Sequence, residues 1–249
     1  MREGFCGDAA KANLRRMTSL VLPGSPPIDI SLRRSARARR FSLRVSRLDG
    51  RVTLSLPERA RVSDAMAFAR DREGWIRDVL SVRPQEVRIA PGAVLPVEGR
   101  MRHVRLARVP RIMEDGAGGL LVPEAAAART AARVEAFLKR LAHERLEVAC
   151  SRHARAAGRG YAKLTLRDTR SRWGSCTSDG RLMFSWRLIL APPEVLDYVA
   201  AHEVAHLVHM DHSPAFWAEV ARLMPGYAAP RRWLRDHGQE LHRYIFRGD

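Results

Sequence analysis

The sequence predicts an α+β protein, because strand-like and helix-like segments follow one another in blocks along the chain. Apolar and polar residues alternate between residues 28 and 56, which is typical of half-buried strands, and short strand-like runs return between residues 94 and 122. Over residues 124–157, apolar residues instead recur every three or four positions, which predicts one long amphipathic helix or two in series. A β-rich N-terminal region should therefore precede a mixed C-terminal part.

The first third of the chain is predicted to contain a leader, strands and a helix. Residues 1–27 lack periodicity and include several prolines, so we expect a flexible leader. Asp49-Gly50 separates two strand-like runs, as in a tight hairpin. Ser63 is placed to cap a helix that continues to Leu80. The predicted organisation is a leader (1–27), a β-rich region (28–123) and a core (124–249).

A hairpin and three helices are predicted after the long helical segment. One strand is expected from Lys163 to Asp168 and its partner from Arg181 to Leu190, with Ser178-Asp179-Gly180 as the turn. Pro192-Pro193 is placed to open a helix, since proline is tolerated in a first turn. Two further helices are indicated, with starts at Ser213-Pro214 and near Pro230.

The chain is strongly basic, with a formal net charge of +17 over 249 residues and a pI of about 11.3. Residues 1–62 carry 14 Lys/Arg and 5 Asp/Glu, a net of +9, whereas residues 201–249 carry 6 of each. A positive field of this kind attracts nucleic acid or other polyanions, and we expect the basic N-terminal half to bind them. The alternative interpretation is that arginine serves here as a generic surface residue.

Cysteine usage and hydropathy indicate the compartment. Cys6, Cys150 and Cys176 are far apart and form no Cys-x-x-Cys pair, so neither a disulfide scaffold nor a cysteine zinc site is predicted. This pattern favours a reducing, cytoplasmic location. No apolar run approaches the ~20 residues that a transmembrane helix needs.

The most specific feature is the segment His202-Glu203-Val204-Ala205-His206 on a predicted helix. Two histidines four positions apart project from the same helix face, a geometry that suits one Zn²⁺. The glutamate beside the first histidine is placed to act as a base on zinc-bound water. The sequence therefore predicts a zinc hydrolase of the metallopeptidase type.

Two histidines beyond this motif compete for the role of third zinc ligand. His209 lies three residues after His206, whereas His212 requires the helix to end soon after residue 209 and the chain to fold back. A third imidazole would leave the fourth zinc position open for water, as a catalytic site requires. Asp211 is expected either to support a ligand histidine or to help end the helix.

Several separated motifs resemble the YgjP-like metallopeptidase family, whose relatives are the SprT and WLM-type zinc peptidases. The matching motifs are Arg172-Trp173-Gly174-Ser175-Cys176, Trp186-Arg187-Leu188, Asp197-Tyr198-Val199, the segment HEVAHLVHMDH, Ser213-Pro214 and Phe216-Trp217. The resemblance implies a zincin-like core, in which a small antiparallel sheet packs on the zinc helix. It also implies that His202, His206 and His212 are the ligands and that Glu203 is the base. Relatives usually carry asparagine at the position of Ser185.

The leading hypothesis for the substrate is a peptide or protein, including proteins associated with nucleic acid. An extended peptide would pair with residues 181–186 as an edge strand. Arg172 and Trp173 are candidate substrate-binding residues, with plain packing an equal alternative for Trp173. Cys176 is expected to be a small buried residue and not a nucleophile, since a metal site needs none.

The alternative hypothesis is a metal-dependent nucleotide pyrophosphohydrolase on the same scaffold, because related proteins have been associated with that reaction. The arginines would then hold phosphates, and Mg²⁺ or Mn²⁺ would be the preferred ion. Three neutral histidines favour zinc over Mg²⁺, and the sequence has no Gly-rich phosphate loop. Both points argue for the peptidase.

Overall fold

The computed structural model describes three stretches of the chain, residues 18–46, 50–81 and 85–246. The chain divides into two compact units, residues 1–84 and residues 85–249. The described residues form small sheets and six α-helices. The predicted α+β class is therefore confirmed.

The first unit is built on a four-stranded sheet in the order β1-β2-β4-β3. The two central strands, β2 and β4, run parallel, and β1 and β3 pair antiparallel at the edges. Alternate strand residues are buried against two helices, α1 and α2, as the apolar alternation predicts. The bounds are β1 Thr18–Leu22, β2 Ile28–Ser35, β3 Ser42–Val45, β4 Val52–Pro57, α1 Val62–Asp71 and α2 Glu73–Ser81.

Two sequence predictions for this unit are wrong. Residues 18–22, predicted to lie in the flexible leader, form β1, because Leu22 is fully buried and the strand pairs with β2 along its length. The helix predicted from Ser63 to Leu80 is two helices that meet at Arg72. The remaining leader, residues 1–17, and the turn residue Asp49 lie outside the described residues.

The second unit begins with another four-stranded sheet, in the order β6-β7-β9-β8. Its buried residues, among them Leu120 and Val122, belong to the same hydrophobic core as the helix that follows. The predicted boundary between residues 123 and 124 therefore falls inside one compact unit. The strands of this sheet are β6 Val94–Val97, β7 Arg100–Ala107, β8 Met113–Glu114 and β9 Gly119–Pro123, and the short strand β5 (Val87–Arg88) precedes them in the chain.

The longest helix described in the second unit is α3 (Thr130–Ala157), with 28 residues. The predicted helical segment 124–157 is therefore two elements in series, a 3₁₀ helix (Glu124–Arg129) followed by this α-helix. The helix ends at Gly158, whose φ of 65° is the left-handed conformation that glycine adopts readily at helix ends. Its apolar stripe, including Val134, Leu138 and Leu146, is fully buried in the core.

A three-stranded sheet in the order β10-β12-β11 follows α3. Its strands are β10 (Lys163–Arg167), β11 (Gly174–Cys176) and β12 (Arg181–Ser185). The predicted hairpin is wrong, because β10 and β12 run parallel and the turn at 178–180 joins β11 to β12. The prediction of residues 181–186 as an edge strand is wrong for the same reason: β12 lies in the centre of the sheet, and β11 is an edge.

Three helices and short 3₁₀ segments complete the second unit. A 3₁₀ helix (Trp186–Leu190) leads into α4 (Pro193–Ala205), which packs against α3 and β11. The remaining elements are α5 Pro214–Leu223, α6 Ala228–His237, a 3₁₀ helix Gly238–Arg243 and β13 Tyr244–Ile245, which pairs with β5. The predicted starts at Pro193 and Ser213-Pro214 are confirmed. Within the described ranges, none of the helices combines the length and the apolar character needed to cross a bilayer.

A buried arginine ties the C-terminal segment to this part of the fold. Arg187 donates to the Asp168 carboxylate at 2.7 and 3.1 Å, and to the main-chain oxygens of Leu241 and Tyr244 at 3.1 and 2.9 Å. These bonds satisfy the guanidinium of a residue that is only 8% exposed. The segment that follows α6 is thereby held against the 3₁₀ helix that precedes α4.

Candidate active site

The site is built on the last turn of α4 and the loop that follows it. Pro193 occupies the first turn of α4, where a missing N–H costs nothing, and the helix ends at Ala205. The apolar residues Val195 and Val199 are buried in the core, one turn apart. His202 and His206 continue that series, so the same packing that holds the helix also orients both imidazoles.

Three imidazoles converge at this point. Ligand atoms of His202, His206 and His212 all lie within 4.8 Å of one another, and Nε2 of His202 is 3.2 Å from Nε2 of His212. His202 and His206 come from successive turns, as the motif spacing predicts. His212 reaches them because the chain reverses between residues 206 and 212.

The reversal is held by a few short bonds. His206 Nδ1 donates to the main-chain oxygen of His209 at 2.9 Å, which leaves Nε2 of His206 with its lone pair. His209 therefore contributes its carbonyl oxygen, and its side chain is not part of the imidazole cluster. Asp211 accepts from the main-chain N–H of Ser213 at 3.2 Å, so it shapes the turn.

Two aromatic residues of α5 form the back wall of the cluster. Phe216 is fully buried, and its ring centroid lies 4.9, 4.4 and 4.8 Å from those of His202, His206 and His212. Trp217 packs on His202 and His212 at 5.7 and 6.0 Å. α5 is fixed by Ser213, which caps it by accepting from the N–H of Phe216. The wall restricts the rotamers of all three imidazoles.

The cluster has the chemistry of a metal site. Burial lowers the pKa of His202 to about 4, with further lowering by His206, His212 and Arg231, and burial also lowers the pKa of His206. Neutral imidazoles with available lone pairs are the form that binds metal ions. Nδ1 of His202 is buried without a hydrogen-bond partner among the described residues. The three residues could therefore hold a metal ion.

Glu203 lies against β11, beside the cluster. Its side chain is 5% exposed, and burial raises its pKa to about 8, although the charge of Arg172 lowers it. The carboxyl packs flat on the backbone of Gly174: a Cβ built there would lie 2.6 and 2.7 Å from Cγ and Cδ of Glu203. A glycine is thus required where the carboxyl meets the strand.

The other candidate residues fall into different environments. Arg172 is exposed and acts on Glu203 through its charge. Trp173 packs on His242 at 5.2 Å between ring centroids, which favours the packing interpretation. The thiol of Cys176 is half-buried, and burial raises its pKa to about 11, so it stays protonated. Ser185 is fully buried and its hydroxyl has no partner within the described ranges.

Comparison with known proteins places this arrangement in a family. The family model of the YgjP-like metallopeptidase domain matches residues 39–237, which include every residue of the cluster. The chain belongs to the YgjP-like metallopeptidase family. It is therefore a peptidase-type hydrolase, and the family implies a metal, for which the His202, His206 and His212 cluster offers the ligands.

The YgjP-like chain was also compared with solved structures and curated proteins. The crystal structure of the metallopeptidase zymogen of Pyrococcus abyssi abylysin is similar at 21% identity and a TM-score of 0.34, over 38% of this chain and 93% of that one. The comparison with curated proteins found no match.

Sequence reasoning missed an aromatic stack beside the YgjP-like site. Tyr198 and Tyr227 stack at 6.3 Å, Tyr227 and Trp217 stack at 5.8 Å, and the Arg231 guanidinium lies 4.2 Å above Trp217. Tyr198 precedes His202 by one helical turn, so its place on the same face was readable from spacing. Tyr227 and Arg231 follow a turn after α5 and carried no such signal.

Gly174→Ala is expected to lower peptidase activity of the YgjP-like domain by about 100-fold, because the new methyl group displaces the Glu203 carboxyl by roughly an ångström. Metal content should not change, since the clash falls on Glu203 and spares the imidazoles. Peptide turnover per bound metal measures the effect. Gly160→Ala is the control, because no heavy atom lies within 4 Å of a Cβ there. Full activity in Gly174→Ala would show that the position of Glu203 does not matter.

Proposed function

We propose that this YgjP-like protein is a zinc-dependent metallopeptidase with a zincin-like core. His202, His206 and His212 are the zinc ligands and Glu203 is the general base. The observation that carries the proposal is the convergence of three imidazoles within 4.8 Å beside a buried carboxyl. Its substrates are peptides and proteins, including proteins associated with nucleic acid, for which the net charge of +17 is the support.

The donor set supports zinc over Mg²⁺ and Ca²⁺. Neutral imidazole suits Zn²⁺, whereas Mg²⁺ and Ca²⁺ prefer oxygen ligands. Nε2 of His202 lies 3.2 Å from Nε2 of His212. Two ligand atoms of a tetrahedral zinc ion with bonds of about 2.05 Å are expected to lie about 3.3 Å apart, so the observed distance fits such an ion. Three protein ligands are the pattern of catalytic zinc sites, which keep one position open.

The residues around the metal supply the proton transfers. Bound zinc would act as a Lewis acid, polarising a scissile carbonyl and making water more acidic. Glu203 accepts the proton of the attacking water and returns it to the leaving amine. Its burial, which raises its pKa to about 8, allows the carboxyl to hold that proton near neutral pH. The charge of Arg172 opposes this rise in pKa, as the charge of a bound zinc ion also would, and both favour the carboxylate form that accepts the proton.

The main-chain pattern of β11 supports an extended peptide as substrate. Ser185 N–H donates to the oxygen of Trp173 at 2.8 Å, and Thr177 N–H donates to the oxygen of Arg181 at 3.1 Å. In an antiparallel pair, the residues between such bonded positions point their N–H and C=O groups to the other side. Those of Gly174 and Cys176 therefore face the outer edge, next to Glu203. A peptide added at this edge would run past the carboxyl.

Cys176→Pro tests this mode of binding. Proline removes the N–H that faces the outer edge and no bond to β12, so peptide cleavage is expected to fall by about tenfold while zinc content stays normal. Casein and fluorogenic peptides measure the rate, and thermal unfolding shows whether the variant is folded. Cys176→Ala keeps the N–H and is the matched control, expected to cleave like the wild type.

The same experiment separates the two hydrolase classes. Hydrolysis of nucleoside triphosphates by the wild-type protein is also measured, and the Glu203→Gln variant is the inactive control. A folded Cys176→Pro variant with full peptide cleavage would contradict docking at β11. Robust triphosphate hydrolysis that depends on Glu203, without peptide cleavage, would replace the peptidase proposal by the nucleotide pyrophosphohydrolase.

A further inference from the structure

The sheet β10-β12-β11 has an outward face with a distinct chemistry. Side chains alternate across a strand, so residues of β10 and β12 divide between two faces. The apolar residues Leu182 and Phe184 are buried in the core, and Leu164 and Leu166 pack against them from β10. The opposite face carries Lys163, Thr165 and Arg167 of β10, together with the residues of β12 and β11 that point to the same side of the sheet.

This face forms a cleft of about 750 Å³. Four cationic side chains line it: Lys163, Arg167, Arg172 and Arg181. Five hydroxyl side chains lie between them, and none of the described residues that line the cleft is acidic. Cations interspersed with hydroxyl groups are the donors that proteins use to contact phosphate oxygens.

The charges of the cleft are largely uncompensated. Arg181 contacts Asp179 at 2.8 Å, and Asp179 also accepts from Thr177. Lys163 and Arg167 are exposed and form no ion pair within the part of the chain that the structure describes. Both ammonium and guanidinium groups are therefore available to an anionic ligand.

We propose that this cleft binds the phosphate backbone of a nucleic-acid strand. Lys163 and Arg181 are register partners at one end, and Arg167 lies at the other end of β10, about 13 Å away at about 3.3 Å per residue. A single phosphate cannot reach both ends, whereas a strand of linked phosphates spans them. The dispersed cations thus favour a polymer over a free phosphate or a nucleotide.

The cleft and Glu203 lie on opposite faces of the same sheet, because Gly174, which contacts Glu203, is the register partner of Phe184 on the buried face. Arg172 lines the cleft and also acts electrostatically on Glu203. A nucleic-acid strand held by Lys163, Arg167 and Arg181 would lie on the other side of this sheet from Glu203, and it would keep proteins bound to that nucleic acid within reach of the metallopeptidase site. Binding of nucleic acid to the cleft does not depend on zinc. The nucleic-acid proposal can therefore be wrong while the peptidase proposal is right, and the peptidase proposal can be wrong while the nucleic-acid proposal is right.

The test is fluorescence anisotropy with a labelled single-stranded DNA oligonucleotide, using full-length protein. Lys163→Ala/Arg167→Ala is expected to raise the Kd by about tenfold at 50 mM salt and to reduce the slope of log K against log [salt] by about 1.4, which is 0.7 for each lost phosphate contact. Casein cleavage by this variant should stay at the wild-type rate. Arg129→Ala/Arg133→Ala is the matched control and should bind like the wild type, because these two exposed arginines lie at the start of α3, at the end opposite to the one that leads into β10.

Three outcomes would overturn the proposal. Unchanged affinity and slope in Lys163→Ala/Arg167→Ala would exclude the cleft. Weaker binding in Arg39→Ala/Arg40→Ala alone would assign polyanion binding to the basic N-terminal half. Equal displacement of the oligonucleotide by polyglutamate of the same charge would show a general polyanion surface. Preferential displacement by unlabelled DNA over polyglutamate and over inorganic phosphate would support a site for the nucleic-acid backbone.

Discussion

Glu203→Gln is expected to lower peptide turnover by about 10²–10⁴-fold, the range that a positioned general base contributes. The amide has nearly the size of the carboxyl, so it fits against Gly174, but it cannot accept the proton of water. The imidazole cluster is untouched, so zinc content and the thermal unfolding midpoint should stay near those of the wild type. Turnover of a fluorogenic peptide, normalised to bound zinc, measures the effect.

Glu194→Gln is the matched control for this substitution. It makes the same chemical change in the same helix, at an exposed residue of the first turn of α4. This variant should cleave peptides at the wild-type rate. Near-wild-type turnover in Glu203→Gln, or an equal loss in both variants, would contradict the role of Glu203 as the base.

The first two candidate metal ligands could be predicted from the sequence because their geometry is local. His202 and His206 are four residues apart on one helix, and helix geometry alone places them together. The third imidazole is different, because spacing left His209 and His212 as alternatives and only the family resemblance favoured His212. In the structure the loop explains the outcome: the carbonyl of His209 accepts from His206, and the chain then turns His212 back.

The arrangement of the sheet could not be predicted, because pairing between strands is not local. β11 has three residues, too few for a periodic signal, so the sequence predicts β10 and β12 as an antiparallel hairpin, whereas the two strands pair in parallel. The turn at 178–180 was recognised correctly, but the strand that enters it was not. One consequence is functional, since the edge available to a peptide belongs to β11, beside Glu203, and β12 is paired on both sides.

The requirement for glycine at position 174 was also hidden. The sequence shows Gly174 only as part of a motif, whereas the structure shows that the carboxyl of Glu203 occupies the space of its missing side chain.

The cationic cleft could not be predicted from the sequence either. Lys163, Arg167 and Arg181 are separated in the sequence and come together only because β10 and β12 pair in parallel.

His212→Ala is expected to weaken zinc binding by more than about 100-fold. Loss of a residue that only hydrogen-bonds to a metal ligand costs about 10- to 100-fold, and loss of a ligand itself should cost more. Removal of one of three imidazoles leaves the other two unable to complete a catalytic zinc site. His209→Ala should retain the metal, because the bond from His206 is accepted by the main-chain oxygen of residue 209, which alanine keeps. Peptide cleavage should follow the metal in both variants.

Elemental analysis of wild-type protein, His209→Ala and His212→Ala, purified and dialysed side by side, tests the zinc-centre account most directly. We expect about one zinc per chain in the wild type and in His209→Ala, and close to none in His212→Ala. Absence of zinc from the wild type, full zinc in His212→Ala, or its loss from His209→Ala would contradict a catalytic zinc held by His202, His206 and His212.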